Sequence, residues 1–394
     1  MEIQTSDRVN TIKPSATLAV TARAKALRAA GHDVIGLGAG EPDFDTPEHI
    51  KEAAQRAIRE GQTKYTAVDG TPELKQAVVD KFSRDNGLDY DIEQVLVSCG
   101  GKQSFYNLVQ ALINPGDEVV IPAPYWVSYP DIVRLAGGDP VIVETELDRD
   151  FKMSPEQLDA AIGPGTRLVV LNSPSNPTGV TYSRAELAAL GEVLLRHPHV
   201  VVASDDIYEH IIWGGEPFAN IVNACPELQD RAVVLNGVSK AYAMTGWRIG
   251  YAAGPKPLIA AMKTIQSQST SNPASISQAA ATAALEGDQS CIDTMVAAFR
   301  RRHDFVIEGL AKLPGVRGLP GQGAFYSFPD MSEAIAAGGH ADDVAFAEHL
   351  LESAGVALVP GSAFGAPGCM RLSFATSLEN LERAMERLER ALKA

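Results

Sequence analysis

The sequence predicts an α/β fold, with a mostly parallel central sheet covered by helices and a smaller α+β domain beside it. Three observations predict it. Short β-rich runs at 95–98, 118–121, 167–171, 200–204 and 232–235 mostly lack polar alternation, so both faces of each strand are buried, as in a parallel sheet. Helical patterns fill the intervals between them, which is the alternation of βα units. In the last third, helical stretches at 291–312 and 341–354 instead flank short strands at 324–328 and 370–373.

Taken in order, a helix over about 19–30 precedes the large domain and can join the small one. The next helix opens at Thr46-Pro47-Glu48, with an N-cap, a proline at the first helical position and an acid in the first turn. Its 3.6-residue pattern runs to about Arg59. The strands and helices that follow make up a large domain at 48–290, and the small domain is discontinuous, at 1–47 and 291–394. There are no repeats and no low-complexity segments.

A chain of 394 residues has ample core. Asp and Glu number 49 against 34 Lys and Arg, a formal net charge of −15. That balance argues against nucleic acid as a partner but leaves room for a local basic pocket. Cys99, Cys225, Cys291 and Cys369 form no CxxC pair, which fits a reducing compartment. The first residues are charged rather than apolar, and no apolar run is long enough to span a bilayer. A cytoplasmic location without membrane contact is expected.

Five stretches carry chemistry. VIGLGAGEPDF (34–44) is not a nicotinamide fingerprint, because GxGxxG from Gly36 requires glycine where Glu41 stands. It is either a glycine-rich loop that lets backbone approach a ligand or a turn ending a strand. SCGGKQSFYNL (98–108) runs strand, Gly100-Gly101, helix, with Lys102 adding a cation. It reads as an anion site at a helix start or as an ordinary βα turn. SPSNPTG (173–179) follows a strand and holds Asn176 extended before Pro177. Its amide can face a ligand at the carboxyl end of the sheet, or the stretch is a plain turn. VVASDDIYEH (201–210) ends a buried strand with Asp205, a carboxylate that needs a partner: a protonated pyridine nitrogen or a structural cation. Tyr208 follows one helical turn on. NGVSKAYAMTGWRIGYAAG (236–254) sets Lys240 among small and aromatic residues, with Arg248 eight positions later. Burial lowers a lysine's pKa, and a neutral amine attacks carbonyls, which makes Lys240 a Schiff-base candidate. A phosphate, a pyridinium nitrogen, a phenolic oxygen and an aldehyde together describe pyridoxal 5′-phosphate.

In this order and combination the motifs resemble the class I/II aminotransferases of fold type I. The likeness covers nearly the whole chain and is greatest to bacterial aspartate aminotransferases, some of which also transaminate prephenate. The resemblance implies that Lys240 carries the cofactor. Ser239, Arg248 and the backbone at Gly101 and Lys102 would bind its phosphate, and Asp205 would keep the ring nitrogen protonated. Tyr208 and Asn176 would bond the phenolic oxygen, and Trp126, in PYWVSYP, would stack on the ring. Tyr65, in KYTAVDG, would reach the phosphate of a neighbouring subunit, implying a homodimer with shared sites. Arg371, in MRLSFA, would clamp the substrate α-carboxylate beside Gly40. Lys102 would meet the distal carboxylate, and Lys13, in KPSAT, matches a lysine linked to prephenate use; read alone, Lys13 is a surface charge.

The implied reaction is transamination of L-aspartate with 2-oxoglutarate, with prephenate to arogenate as a further use. Aromatic or neutral amino-acid transamination is the nearest rival, then a carbon–sulfur lyase using the same cofactor. A cofactor-binding transcription regulator needs an added DNA-binding domain, which this sequence does not display.

Overall fold

The computed structural model of the chain describes residues 3–214 and 216–393. The first strand, β1 (Ile35–Gly36), lies outside the central sheet. That sheet is built from β2 (Val95–Ser98), β3 (Glu118–Ala123), β4 (Asp139–Glu144), β5 (Thr166–Asn172), β6 (Val201–Asp205), β7 (Ala232–Gly237) and β8 (Gly250–Ala253). Its seven strands lie in the order β2-β8-β7-β6-β5-β3-β4. The pairs from β4 through β3, β5 and β6 to β7 are parallel. Only β8 runs against its neighbours, β7 and β2.

Alternate residues of each strand enter different cores. Val95, Val97, Val169, Leu171 and Val234 join one apolar cluster. Leu96, Leu168, Val170, Val233 and Leu235 join another. Successive side chains point to opposite faces, so these strands are covered on both sides and have no polar face to display.

All five expected large-domain strands are present, with ends moved by a residue or two. Two strands were not expected. β4 is an edge strand with a partly exposed burial pattern. β8, with the sequence GYAA, has little intrinsic strand preference and is held between β7 and β2. The 238–249 connection contains only the short 3₁₀ turn Thr245–Trp247. Without a crossover helix it cannot return a parallel strand, so β8 comes back antiparallel.

The remaining strands are β9 (Tyr326–Ser327), β10 (Val356–Ala357), β11 (Val359–Pro360) and β12 (Met370–Ser373). β10 pairs parallel with β1, and β11-β12-β9 form an antiparallel sheet. Helices Ser290–Leu310 and Leu378–Lys393 pack here through Phe299, Leu310 and Leu388. The N-terminal helix, Ala16–Ala29, sets Ala24 against Val34, Leu351 and Ala357 of the same body. The strand expected at 324–328 narrows to β9, and the helix expected at 341–354 is Asp343–His349 continued as the π-helix Leu350–Ala354.

Thr46 is not an N-cap, which corrects the sequence reading. The helix Glu48–Arg59 has Pro47 at that position. The Thr46 hydroxyl instead donates to the Ala243 carbonyl at 2.7 Å and accepts from Trp247 Nε1 at 3.0 Å. Among the described residues, no helix is long and apolar enough to cross a membrane.

Candidate active site

The carboxyl ends of β2, β3, β5, β6 and β7 lie along one edge of the sheet, where ligands bind in such folds. Four of the five chemical stretches follow those ends and the fifth, 34–44, carries β1 outside the sheet; stretches far apart in sequence thus meet in one cavity of about 450 Å³. That volume is within the usual range for a small-molecule site.

Lys240 stands on the turn after β7, and its Nζ donates to the Gly40 carbonyl at 2.5 Å. Burial, with Arg371 and Arg248 nearby, lowers its pKa to about 8; Glu41 and Asp205 oppose the shift. The aromatic rings of Tyr208 and Phe325 each lie 5.8 Å from Nζ.

Asp205 ends β6 inside the cavity. One oxygen accepts from the Tyr129 hydroxyl, and the other accepts from the Ile207 amide at 3.3 Å. Burial pushes its carboxyl up, while those two donors and Lys240 pull it down. The segment after Asp205 is a turn rather than the helical turn expected, closed by Glu209 N–H to the Asp206 carbonyl at 2.9 Å. It still returns Tyr208 to the cavity, where burial holds the phenol well above its ordinary pKa.

Arg371, on β12, is 2% exposed. One guanidinium nitrogen donates to Asn176 Oδ1 at 2.9 Å and another to the Gly38 carbonyl at 2.8 Å. The guanidinium also lies 4.5 Å from the Tyr326 ring and 4.9 Å from the Phe364 ring. Its Nε is buried without a partner among the described residues. Because Asn176 spends its oxygen on Arg371, its amide nitrogen remains available to a ligand.

The helix Gly101–Leu112 starts at the cavity edge, with Gly100 as its N-cap at φ 89°. Its first amides have no intrahelical acceptor and face outward with the positive helix end. Gly250 packs so tightly on this turn that an added Cβ would overlap the Gly100–Gly101 backbone. Arg248 adopts the left-handed conformation, φ 57°, unusual for a side-chain-bearing residue. It donates to the Thr245 and Cys99 carbonyls at 3.0 and 3.3 Å. Ser239 lines the same wall. Lys102 Nζ lies 5.0 Å from the Trp126 ring. Burial and nearby Arg248 lower its pKa. It has no ion-pair partner among the described residues.

The cavity wall therefore carries four cations, Lys102, Lys240, Arg248 and Arg371, against two carboxylates, Glu41 and Asp205. In a chain of net charge −15, this is a local basic pocket. Among the described residues, no three His, Cys, Asp or Glu side chains form a metal cluster.

Two expected site residues lie outside this cavity. Lys13 lines an adjoining cleft of about 820 Å³, which shares Lys102 and Arg248 with it. Tyr65 is 92% exposed and lines neither. The other expected residues, including Gly40, Gly101 and Trp126, come together in the cavity. Sequence reasoning missed Tyr129, Tyr326 and Asn172, whose amide donates to the Asp205 carbonyl at 2.9 Å. Tyr129 stands three residues after Trp126 in PYWVSYP, the one available signal.

The family described as Aminotransferase class I and II matches residues 32–388. The aspartate/prephenate aminotransferase of Nitrosomonas europaea is 59% identical over 389 residues, covering 97% of this chain and 98% of the relative. The aspartate aminotransferase of Geobacillus stearothermophilus is 54% identical, covering 98% of both chains. The crystal structure of the Rhizobium meliloti aspartate aminotransferase superposes with a TM-score of 0.95 at 48% identity, covering 100% of this chain and 99% of that one. The Thermus thermophilus enzyme, solved with maleate, has a TM-score of 0.93 at 47% identity, covering 99% and 100%. A buried lysine facing a strand-end aspartate and an arginine-lined cavity, carried on this fold and matched across these lengths, places the chain in the class I and II aminotransferase family.

Proposed function

We propose that the chain transfers the amino group of L-aspartate to 2-oxoglutarate, giving oxaloacetate and L-glutamate, with pyridoxal 5′-phosphate as cofactor. One observation carries this reading: Lys240, Asp205 and the glycine-rich helix start share one cavity. The residues fit the group. The first amides of the helix Gly101–Leu112, with Ser239 and Arg248, make a seat for a phosphate. The tight Gly250 contact keeps that seat open to backbone. Asp205 would hold a cationic ring N–H, whose charge would compensate the carboxylate's burial. Tyr208 and the Asn176 amide would bond the phenolic oxygen, and Trp126 would stack on the ring.

Bound pyridoxal phosphate supplies an aldehyde and an electron sink for a carbanion at the substrate Cα. The chain's own groups do the rest. Arg371 would meet the α-carboxylate with its guanidinium, beside Gly40. Asn176 steadies Arg371 and fixes the orientation of the Cα–H bond. The Lys240 amine, lowered to about 8, would accept the substrate Cα proton as a general base and hold it for return. Trp126 and Tyr129 pack edge to face at 5.2 Å on one wall of the cavity.

Lys102 faces the cavity as a half-buried cation without an acidic partner among the described residues, which suits a distal carboxylate. The names of the relatives support the same substrate class. Lys13, across the adjoining cleft, is the residue assigned to a further use, prephenate to arogenate. The unit of function in this reading is a cytoplasmic homodimer with Tyr65 reaching into the partner's phosphate seat. Its domains are 48–290 and 1–47 with 291–394.

The test is the absorbance of the purified holoprotein before and after L-aspartate is added without an oxo acid. Replacement of the lysine-bound cofactor band by the amine form, with one oxaloacetate per site, is expected. A band that aspartate leaves unchanged rules out this substrate.

A further inference from the structure

We propose that Tyr326 is a positioning residue: its hydroxyl donates to Tyr208 and so commits the Tyr208 proton to the cavity. The inference rests on the reading of that cavity as a pyridoxal phosphate site. Tyr326 lies on β9, opposite Ser373 of β12, two residues beyond Arg371. Tyr208 and Tyr326 are 3% and 1% exposed, and their hydroxyls are 2.9 Å apart. Their rings meet edge to face at 5.9 Å.

Two phenols sharing one hydrogen bond use one proton and leave the other. Among the described residues, each hydroxyl has only this partner. If Tyr208 donates, the Tyr326 proton is left without an acceptor among the described residues. One side of Tyr326 is taken by the Arg371 guanidinium, 4.5 Å from its ring. On another side the Gly40 backbone is so near that a Cβ there would stand 3.1 Å from the hydroxyl. A buried donor left unmade loses its hydration without return. If Tyr326 donates, its own proton is satisfied and the Tyr208 proton points to the cavity, where a ligand oxygen can accept it. Accepting from Tyr326 also polarises the Tyr208 O–H and strengthens its donation. Burial keeps both phenols neutral, so the relay holds across the ordinary pH range.

A phenolic ligand oxygen that receives a stronger hydrogen bond carries negative charge more readily, and a cationic nitrogen conjugated with it loses its proton at lower pH. Tyr326→Phe removes the hydroxyl and keeps the ring on Arg371. The measurement is the pH midpoint of the bound cofactor's absorbance in wild type, Tyr326→Phe, Tyr208→Phe and the double variant. The midpoint is expected to rise by about 0.5 in Tyr326→Phe, a threefold change in proton affinity. It should rise further in Tyr208→Phe and no further in the double variant. Fluorotyrosine at position 326, a stronger donor of the same shape, is expected to lower it. An unchanged midpoint in Tyr326→Phe, or an equal rise in the Tyr208→Phe background, overturns the relay. A wild-type protein with no cofactor absorbance overturns the parent reading instead, and this inference with it.

Discussion

Lys240 is buried against its own preference for charge, and that has a consequence for stability. Its pKa falls from 10.5 to about 8 on folding, chiefly through burial. Between those values the unfolded chain binds the extra proton, so stability rises with pH across this window; below about 8 the full penalty is present. Lys240→Met removes the penalty. The cofactor-free variant is expected to be more stable than wild type at pH 7 by about 2–3 kcal/mol. The difference should shrink as pH rises from 8 to 10.5. Urea denaturation of both proteins across that range checks it, and a pH-independent difference would show that burial of the amine is not the cause. The same property made Lys240 legible in the sequence: a lone lysine among small and aromatic residues has few structural uses. Tyr129 and Tyr326 were not legible. An aromatic residue in an apolar run has core packing as its ordinary use, and only the fold brings their hydroxyls to Asp205 and Tyr208.

Elements with two buried faces announced themselves, and elements held by their neighbours did not. β2, β5 and β7 are runs of Val and Leu, so their sequence alone identifies them. β8 is Gly-Tyr-Ala-Ala, and its strand form comes from pairing Gly250 with Gly237 on one side and Ser98 on the other. That small residue is required by the Gly100–Gly101 turn. A Cβ on Gly250 would overlap the Gly100–Gly101 backbone, whereas one on Gly246 would meet nothing within 4 Å. Gly250→Ala is therefore expected to cost about 2–4 kcal/mol, because backbone must shift. It should also weaken binding of inorganic phosphate or cofactor. Gly246→Ala should leave both unchanged. Thermal melting with and without pyridoxal phosphate distinguishes the pair; equal behaviour of the two variants would mean that the turn is not braced by β8.

At the scale of the whole molecule, the segment between β1 and the helix Glu48–Arg59 joins the two packed bodies across the site. Its Gly38 and Gly40 carbonyls accept from Arg371 and Lys240. Asp43 pairs with Arg302 through two bonds of 2.7 and 2.9 Å. Thr46 ties back to the connection that carries Lys240. Only one expected cofactor ligand is missing from this assembly. Tyr65 is 92% exposed and lines neither the cavity nor the adjoining cleft. In the proposed homodimer Tyr65 would reach the partner subunit's site, and mixed dimers test that reading. In a heterodimer of Lys240→Ala with Tyr65→Ala, the single remaining lysine faces an intact Tyr65 from the opposite subunit. The lysine-bound cofactor band should then appear with wild-type affinity at half the sites. The Tyr65→Ala homodimer should bind about tenfold more weakly, the usual worth of one hydrogen bond to a charged group. If the heterodimer binds as weakly as that homodimer, Tyr65 serves its own subunit or none.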